Sequence, residues 1–265
     1  SYPEAPSIFS SLKRIIVDEI HAITESKRGD QLFLAISNIR KYCLDAKIIG
    51  LSATVNDPSL IAGWLAPTND CDIILSDPGL VPEISILKTS EPPPWAGAGG
   101  LYSIPEIITE IETHKTTLIF HNTRAQAEIF FHNLWLANSK NLPIAIHHGS
   151  LDKEQRNHVE TAMVRGELRA VVCTGSLDLG IDWGSVDLVI QIGAPRQVKR
   201  LIQRIGRANH SRSGASKGLI VPANRLEVLE CFMALDAIYE NKLDSELQTQ
   251  IPLDVICQHL LFVAC

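Results

Sequence analysis

Residues 14–23 read RIIVDEIHAI, an apolar run that ends in two adjacent carboxylates with a histidine close behind. Ligands of open α/β sheets bind beyond the carboxyl ends of the strands, so Asp18 and Glu19 would stand where chemistry happens. One carboxylate can hold Mg²⁺, directly or through water, while the other orients an attacking water, as phosphoryl transfer requires. Neighbouring residues can divide these tasks because side chains diverge as the chain leaves a sheet. Taken alone, VDE fits a solvated acidic turn equally well. GLSAT, residues 50–54, closes the next apolar run. Its hydroxyls, Ser52 and Thr54 on either side of Ala53, can bond to carboxylates or backbone at the neighbouring strand end. By itself the stretch is also an ordinary helix cap.

Further stretches carry groups suited to anions. In LIFHNTRAQAE (118–128), Asn122 or Thr123 can cap a helix. Arg124, in the first turn of that helix, opposes the helix dipole and hints at an anionic partner from outside. AIHHGSL (145–151) sets Gly149 and Ser150 at another helix start, where free amides make an anion site. His147 and His148 are adjacent on a strand and point to opposite faces, with no third ligand at a useful spacing, so a metal centre is not indicated. In VVCTGSLDLGIDWGS (171–185), Thr174 can donate to a phosphodiester. Asp182, with Gly180 in the same turn, can accept from a ribose hydroxyl or a water. QRIGRANH (203–210) puts Arg204 and Arg207 three apart, on one helix face, with Gly206 permitting close approach of a backbone or ligand. An arginine that neutralises γ-phosphate charge in the transition state contributes roughly 10³–10⁵ in rate.

The hydrophobic pattern supplies the elements that must hold these groups. Apolar runs over 14–18, 47–51, 71–75, 116–121, 144–147, 170–174, 188–192 and 218–221 read as strands, several apolar at consecutive positions as strands buried on both faces require. Stretches over 30–42, 58–65, 104–113, 124–137, 151–165, 198–209 and 226–239 read as helices. This alternation predicts an α/β fold of parallel sheets covered by helices. Residues 90–103, SEPPPWAGAGGLYS, are too rich in proline and glycine for a regular element and read as a linker. The expected division is therefore 1–89, a linker over 90–103, a second unit over 104–222, and a helical segment over 223–265.

Bulk properties narrow the function. Hydrophobic residues make up 45% of the 265 and charged residues 20%, as in an ordinary globular protein. A formal net charge of −6 argues against a uniformly basic nucleic-acid binder, yet residues 189–226 hold eight Lys and Arg and no Asp or Glu. Such a local patch can hold phosphate on an acidic molecule. The six cysteines are scattered without a C-x-x-C pair, which fits a reducing, cytoplasmic setting. No signal peptide leads the sequence and no apolar run has the length of a membrane span. Both ends read as cut, with Ser1 first and VICQHLLFVAC stopping inside a helical pattern.

In their order and spacing, VDEIH, SAT, IFHNTR, HHGSL, TGSLDLGID and QRIGRANH resemble the motifs of superfamily 2 helicases. The closer resemblance is to the Lhr-type DNA helicases, including the ligase-associated DEXH-box helicases. VDEIHAITESKRGDQL is similar to their acidic motif, PWAGAGGL to their interdomain segment, and PLDVICQHL to the opening of their winged-helix domain. LDLGIDWGSVDLVIQIGAPRQVKRLIQRIGRANH is similar along its whole length, and the resemblance spans residues 12–263.

The resemblance implies RecA-like parallel sheets: the back half of one domain, a complete second domain, and the start of a winged helix. In that family the two RecA-like domains face each other across ATP. ATP and Mg²⁺ are the implied cofactors, with Asp18 holding the ion through water and Glu19 acting as catalytic base. Gln203 would link the ATP site to motion, Arg207 and also Arg204 would reach the phosphates, and Gly180, Asp182 and His210 would approach the nucleotide. His210 stands where many superfamily members carry a second phosphate-binding arginine. His21 with Ser52, Ala53 and Thr54 would couple hydrolysis to strand movement. Thr123, Arg124, Gly149, Ser150 and Thr174 would lie along the nucleic-acid backbone.

The implied partner is DNA, single-stranded or tailed, with RNA and hybrid substrates left open and DNA ligase or nuclease repair proteins as further partners. No G-x-x-x-x-G-K-[ST] occurs in the sequence. The expectation is thus a fragment of an ATP-dependent 3′ to 5′ DNA helicase that binds ATP poorly on its own. The alternative is a truncated, non-catalytic nucleic-acid-binding or regulatory module acting through the basic stretch 196–225.

Overall fold

The computed structural model describes residues 4–24, 26–52, 55, 57–66, 71–76, 80–97, 99–178, 186–208, 215–240, 242 and 252–264. The chain divides into two compact units, Ser1–Asp77 with Ser245–Cys265, and Pro78–Asp244.

In the first unit, helix α1 (Ala5–Phe9) precedes strand β1 (Arg14–Val17), helix α2 (Lys27–Arg40), strand β2 (Lys47–Gly50) and helix α3 (Pro58–Leu65). Ser26 caps α2 and Asp57 caps α3, whose Pro58 takes the first helical position where no amide is needed. The two strands pair in parallel, Arg14 opposite Lys47 and Val17 opposite Gly50. Val17, Ile20, Ile36 and Leu65 pack together beneath them. Burial on both faces, as the apolar runs predict, is not what forms: Ile16 is 60% exposed and Ile49 37%. The strand expected over 71–75 is not formed either, and Ile74 and Leu75 are exposed there. Apolar composition does not make a strand without a neighbour to complete its hydrogen-bond ladder.

The second unit runs through β3 (Glu83–Ile86), α4 (Ile104–Thr113), β4 (Thr116–Phe120), α5 (Arg124–Ala137), β5 (Ile144–His147), α6 (Lys153–Val164), β6 (Ala170–Cys173), β7 (Val186–Ile192), α7 (Val198–Ile205), β8 (Lys217–Val221) and α8 (Arg225–Tyr239). Its strands form one parallel sheet in the order β3-β8-β7-β4-β6-β5. Alternate strand residues serve two cores. Leu118, Phe120, Val171, Cys173 and Val189 pack with Met163, Leu201 and Cys231 from α6, α7 and α8. Ile119, Val172 and Ile190 pack with Ile107 and Phe130 from α4 and α5. The result is the three-layer, doubly wound arrangement that the β–α alternation predicts.

The expected division is corrected at two places. The first boundary falls between Asp77 and Pro78 rather than after residue 89, because β3 joins the second sheet with Glu83 opposite Lys217. Residues 90–103 are consequently not a linker but part of the second unit. Ser90 donates from its amide and hydroxyl to Glu106, at 2.8 and 2.6 Å, and the Tyr102 hydroxyl donates to the Pro222 carbonyl at 2.9 Å. Residues 223–265 also separate: α8 puts Cys231 and Ile238 into the second unit's core. Helix α9 (Leu253–Ala264) lies with the first unit, tied to α2 by the Lys27–Asp254 ion pair and a 2.7 Å bond from Gln31 to Gln258. Among the described residues no helix is long and apolar enough to cross a membrane.

Candidate functional site

The carboxylates follow β1 directly. Asp18 is exposed, and its Oδ1 accepts from the Glu19 amide at 2.9 Å. Glu19 adopts φ 50°, in the left-handed region that a residue with a Cβ rarely occupies. Its carboxylate turns toward the buried His21, with Oε2 3.4 Å from Nε2. His21 Nδ1 shares a 3.1 Å hydrogen bond with Ser52 Oγ, and the Ile20 amide donates to the Leu51 carbonyl at 3.0 Å. A line of polar contacts therefore joins the ends of β1 and β2. Ser52 reaches the histidine side chain, rather than the carboxylate or backbone that its position suggests; Ala53 and Thr54 lie outside the described residues.

Gly29 holds this turn from behind: a Cβ there would lie 2.1 Å from the Ile23 carbonyl oxygen, so α2 closes on the His21 turn only with glycine. The SKRG segment contained that signal, unread. An exposed Asp18 carboxylate suits Mg²⁺, a hard ion that takes one or two carboxylates and keeps several waters. No three His, Cys, Asp or Glu side chains among the described residues group into a metal cage. These residues fit an ion held largely by water and phosphate oxygens.

In the second unit, the exits of the neighbouring strands β4, β6 and β5 carry the residues with anion chemistry. Thr123 caps α5, its Oγ1 accepting from the Gln126 amide at 3.3 Å. Asn122 instead crosses to the exit of β7, donating to the Ala194 carbonyl at 2.8 Å. Arg124 donates to Ser150 Oγ at 2.6 Å and lies 3.6 Å from Glu128, which offsets its conflict with the helix dipole from within the fold. Its side chain remains 58% exposed. Helix α6 starts at Lys153, so Gly149 and Ser150 occupy the turn before it rather than its first amides. A Cβ on Gly149 would meet nothing within 4 Å, so that turn is open.

The Thr174 amide, just past β6, donates to the His147 carbonyl at 3.4 Å. His147 is buried between Ser176 Oγ (2.9 Å) and Glu160 Oε1 (3.0 Å). His148 stands 3.2 Å from Glu128, and burial pushes its pKa below the ordinary imidazole value despite that carboxylate. Both histidines brace the turns. Burial also drives the Cys231 thiol up to about 12 and Cys173 higher than usual, which leaves neither as a nucleophile. Gly180, Asp182 and His210 lie outside the described residues.

Arg204 is where the spacing misled. Helix α7 ends at Ile205 with Gly206 as its C-cap, so Arg204 and Arg207 do not share a helix face. Gly206 is exposed and caps the helix end. Arg204 is only 5% exposed. It donates to Asp178 Oδ1 at 2.8 Å, Asp178 Oδ2 at 3.3 Å and Gln191 Oε1 at 2.6 Å, and its guanidinium lies 4.7 Å from the Phe120 ring centroid. Arg200 adds a contact of 3.2 Å to Asp178. Arg204 is thus not presented to a phosphate. Gln203 and Arg207 remain half-buried near the helix end. Asp178 and Gln191 escaped sequence reasoning because they come from the turn after β6 and from β7, far from Arg204 in the chain.

Comparison with known proteins agrees with this layout. The DEAD/DEAH box helicase family model matches residues 3–61, and the helicase conserved C-terminal domain model matches residues 101–212. The ATP-dependent helicase Lhr-Core protein 2 of Thermococcus barophilus is 38% identical over 99% of this chain and 31% of its own length. The Lhr-Core helicase of Methanothermobacter thermautotrophicus is 36% identical over 99% of the chain and 32% of its own length. The chain therefore spans about a third of the length of these curated relatives. The solved structure of the Mycobacterium smegmatis helicase Lhr bound to ssDNA and AMP-PNP matches with a TM-score of 0.86 and 33% identity, over 98% of this chain and 35% of that one. The DUF1998 helicase MrfA bound to DNA and AMPPNP, at 21% identity and a TM-score of 0.76 over 97% of this chain and 38% of its own, shares the fold.

Proposed function

This chain belongs to the superfamily 2 helicases of the Lhr type, and on that premise we propose that it is part of an ATP-dependent translocase that moves along single-stranded DNA. The observation that carries the reading is the row of turns at three neighbouring strand exits. Thr123, Arg124, Gly149, Ser150 and Thr174 offer hydroxyls, one exposed guanidinium and an open glycine turn. Such groups grip a sugar-phosphate backbone without reading sequence, which a motor that steps along any strand requires.

Nucleotide chemistry falls to Asp18 and Glu19. Mg²⁺, when bound, would neutralise phosphate charge; Asp18 would hold it through water, and Glu19 would orient the attacking water. His21 and Ser52, in contact at 3.1 Å, would carry the state of Glu19 from β1 to the end of β2. Arg207 would supply the transition-state cation. A loop that grips the phosphates is required as well, and no G-x-x-x-x-G-K-[ST] occurs in these residues. The 265 residues alone therefore show no DNA-stimulated ATPase. A polypeptide that also supplies such a loop turns over ATP and loses that turnover with Glu19→Gln. Robust hydrolysis by the 265 residues, abolished by Glu19→Gln, would contradict this division of labour.

A further inference from the structure

Trp95 stands out because it is 72% exposed yet held firmly. The Arg225 guanidinium lies over its ring, 4.5 Å from the centroid. Arg225 is itself fastened to the backbone on either side, donating from Nε to the Pro93 carbonyl at 3.0 Å and from its amide to the Pro94 carbonyl at 2.9 Å. The preceding prolines fix φ along that stretch. One ring face is thus covered by a cation and the other is turned to solvent on a stiff support. No carboxylate pairs with Arg225 among the described residues.

The location connects this pair to the row of turns. Arg225 opens α8, just past the exit of β8 at the same edge of the sheet as β4, β6 and β5. From Trp95 the chain crosses Asn224, where a Cβ on Gly97 would lie 3.0 Å from Nδ2, and reaches α5, where a Cβ on Gly99 would lie 3.8 Å from Gln126 Cγ. Gln126 is the residue whose amide and side chain bond Thr123. Trp95 and Gly99 are four steps apart in the chain, at most about 14 Å, so the ring and the Thr123 turn lie within the span of one short strand.

We propose that Trp95, backed by Arg225, is a stacking platform for a nucleobase of the single strand whose phosphates run along Thr123, Arg124, Gly149, Ser150 and Thr174. The inference rests on the nucleic-acid reading above and extends it to a site outside the helicase motifs. A flat aromatic face suits any base, and a guanidinium behind it strengthens the stack while favouring the nearby phosphate charge. Because the ring is already held, little side-chain freedom is lost when a base lands on it.

The test compares binding of a labelled oligothymidylate with a strand of equal length built from abasic units, measured by fluorescence anisotropy at one salt concentration. Base stacking on an aromatic contributes roughly 1–3 kcal/mol, so Trp95→Ala should weaken oligothymidylate binding about tenfold. It should leave the abasic strand and the salt dependence unchanged, and Trp95→Phe should restore most of the loss. Equal loss on both strands, or no loss on either, overturns the platform, and the second result would assign the face to a protein partner. Arg124→Ala separates the two levels. If it weakens both strands while Trp95→Ala weakens neither, only the platform fails. If the unmodified protein binds neither strand, the broader reading fails and takes the platform with it.

Discussion

Arg204→Ala offers a direct test of the buried network, because the same residue read from spacing alone would be a phosphate ligand. The substitution removes hydrogen bonds of 2.8 and 3.3 Å to Asp178 and of 2.6 Å to Gln191. It also strips the cation from the face of the fully buried Phe120. Breaking a buried ion pair by deleting one partner costs about 3–5 kcal/mol, since the remaining charge is left uncompensated. Arg200, still 3.2 Å from Asp178, moderates that penalty, while the lost contact with Phe120 adds to it. The expected destabilisation of the second unit is about 4 kcal/mol. With a urea m-value of about 3 kcal/mol per M, its unfolding midpoint falls by about 1.3 M. Hydrogen exchange on β4, β6 and β7 during a urea titration isolates this unit from the first. Adding Asp178→Leu to Arg204→Met should recover much of the loss, because an apolar pair of similar volume removes the stranded charge. The reasoning is refuted if Arg204→Ala unfolds at the same urea concentration as the unaltered protein, and doubly so if, in a polypeptide that also supplies the phosphate loop, it abolishes nucleotide turnover while leaving stability intact.

Two further predictions concern the supports of each site. Burial holds His121, 1% exposed and tilted against Phe130 with ring centroids 4.8 Å apart, down to a pKa of about 3 from 6.5. The unfolded chain takes up this proton first, so the stability tied to neutral His121 is complete above pH 6.5 and declines as pH falls toward 3. Unfolding titrations of the second unit between pH 6 and 4 should show a slope steeper by about 1 kcal/mol per pH unit than in His121→Leu; parallel slopes would disprove it. Gly29→Ala gains helix propensity of about 1 kcal/mol. It nonetheless sets a methyl group against the Ile23 carbonyl oxygen at 2.1 Å. Net loss of about 2 kcal/mol in the first unit is expected, read by hydrogen exchange in α2, and a stabilised variant would show that α2 does not press on the His21 turn.

Much of this protein is written locally. Helix starts at Arg124, Pro58 and Ile104 were legible because caps and prolines act within a turn, as Thr123, Asp57 and Pro105 do. The central strands β4 and β6 were legible because burial on both faces leaves uninterrupted apolar runs. The order of the motifs along the chain identified the family without any structure.

Other features depend on partners distant in sequence. Residues 90–103 have the composition of a linker, but Glu106 and Pro222 hold them on the second unit. An apolar run over 71–75 forms no strand, whereas the less regular stretch Glu83–Ile86 does, because β8 offers it a free edge. Arg204 and Arg207 look alike in QRIGRANH, yet Arg204, in the last turn of α7, is buried against Asp178 and Gln191, while Arg207 lies past the end of the helix. Residue type and spacing determined which side chains could bind phosphate. Only the packing of α7 on β7 and on the turn after β6 decided which arginine is engaged within the core, since a buried charge must find its counter-charge before any ligand arrives.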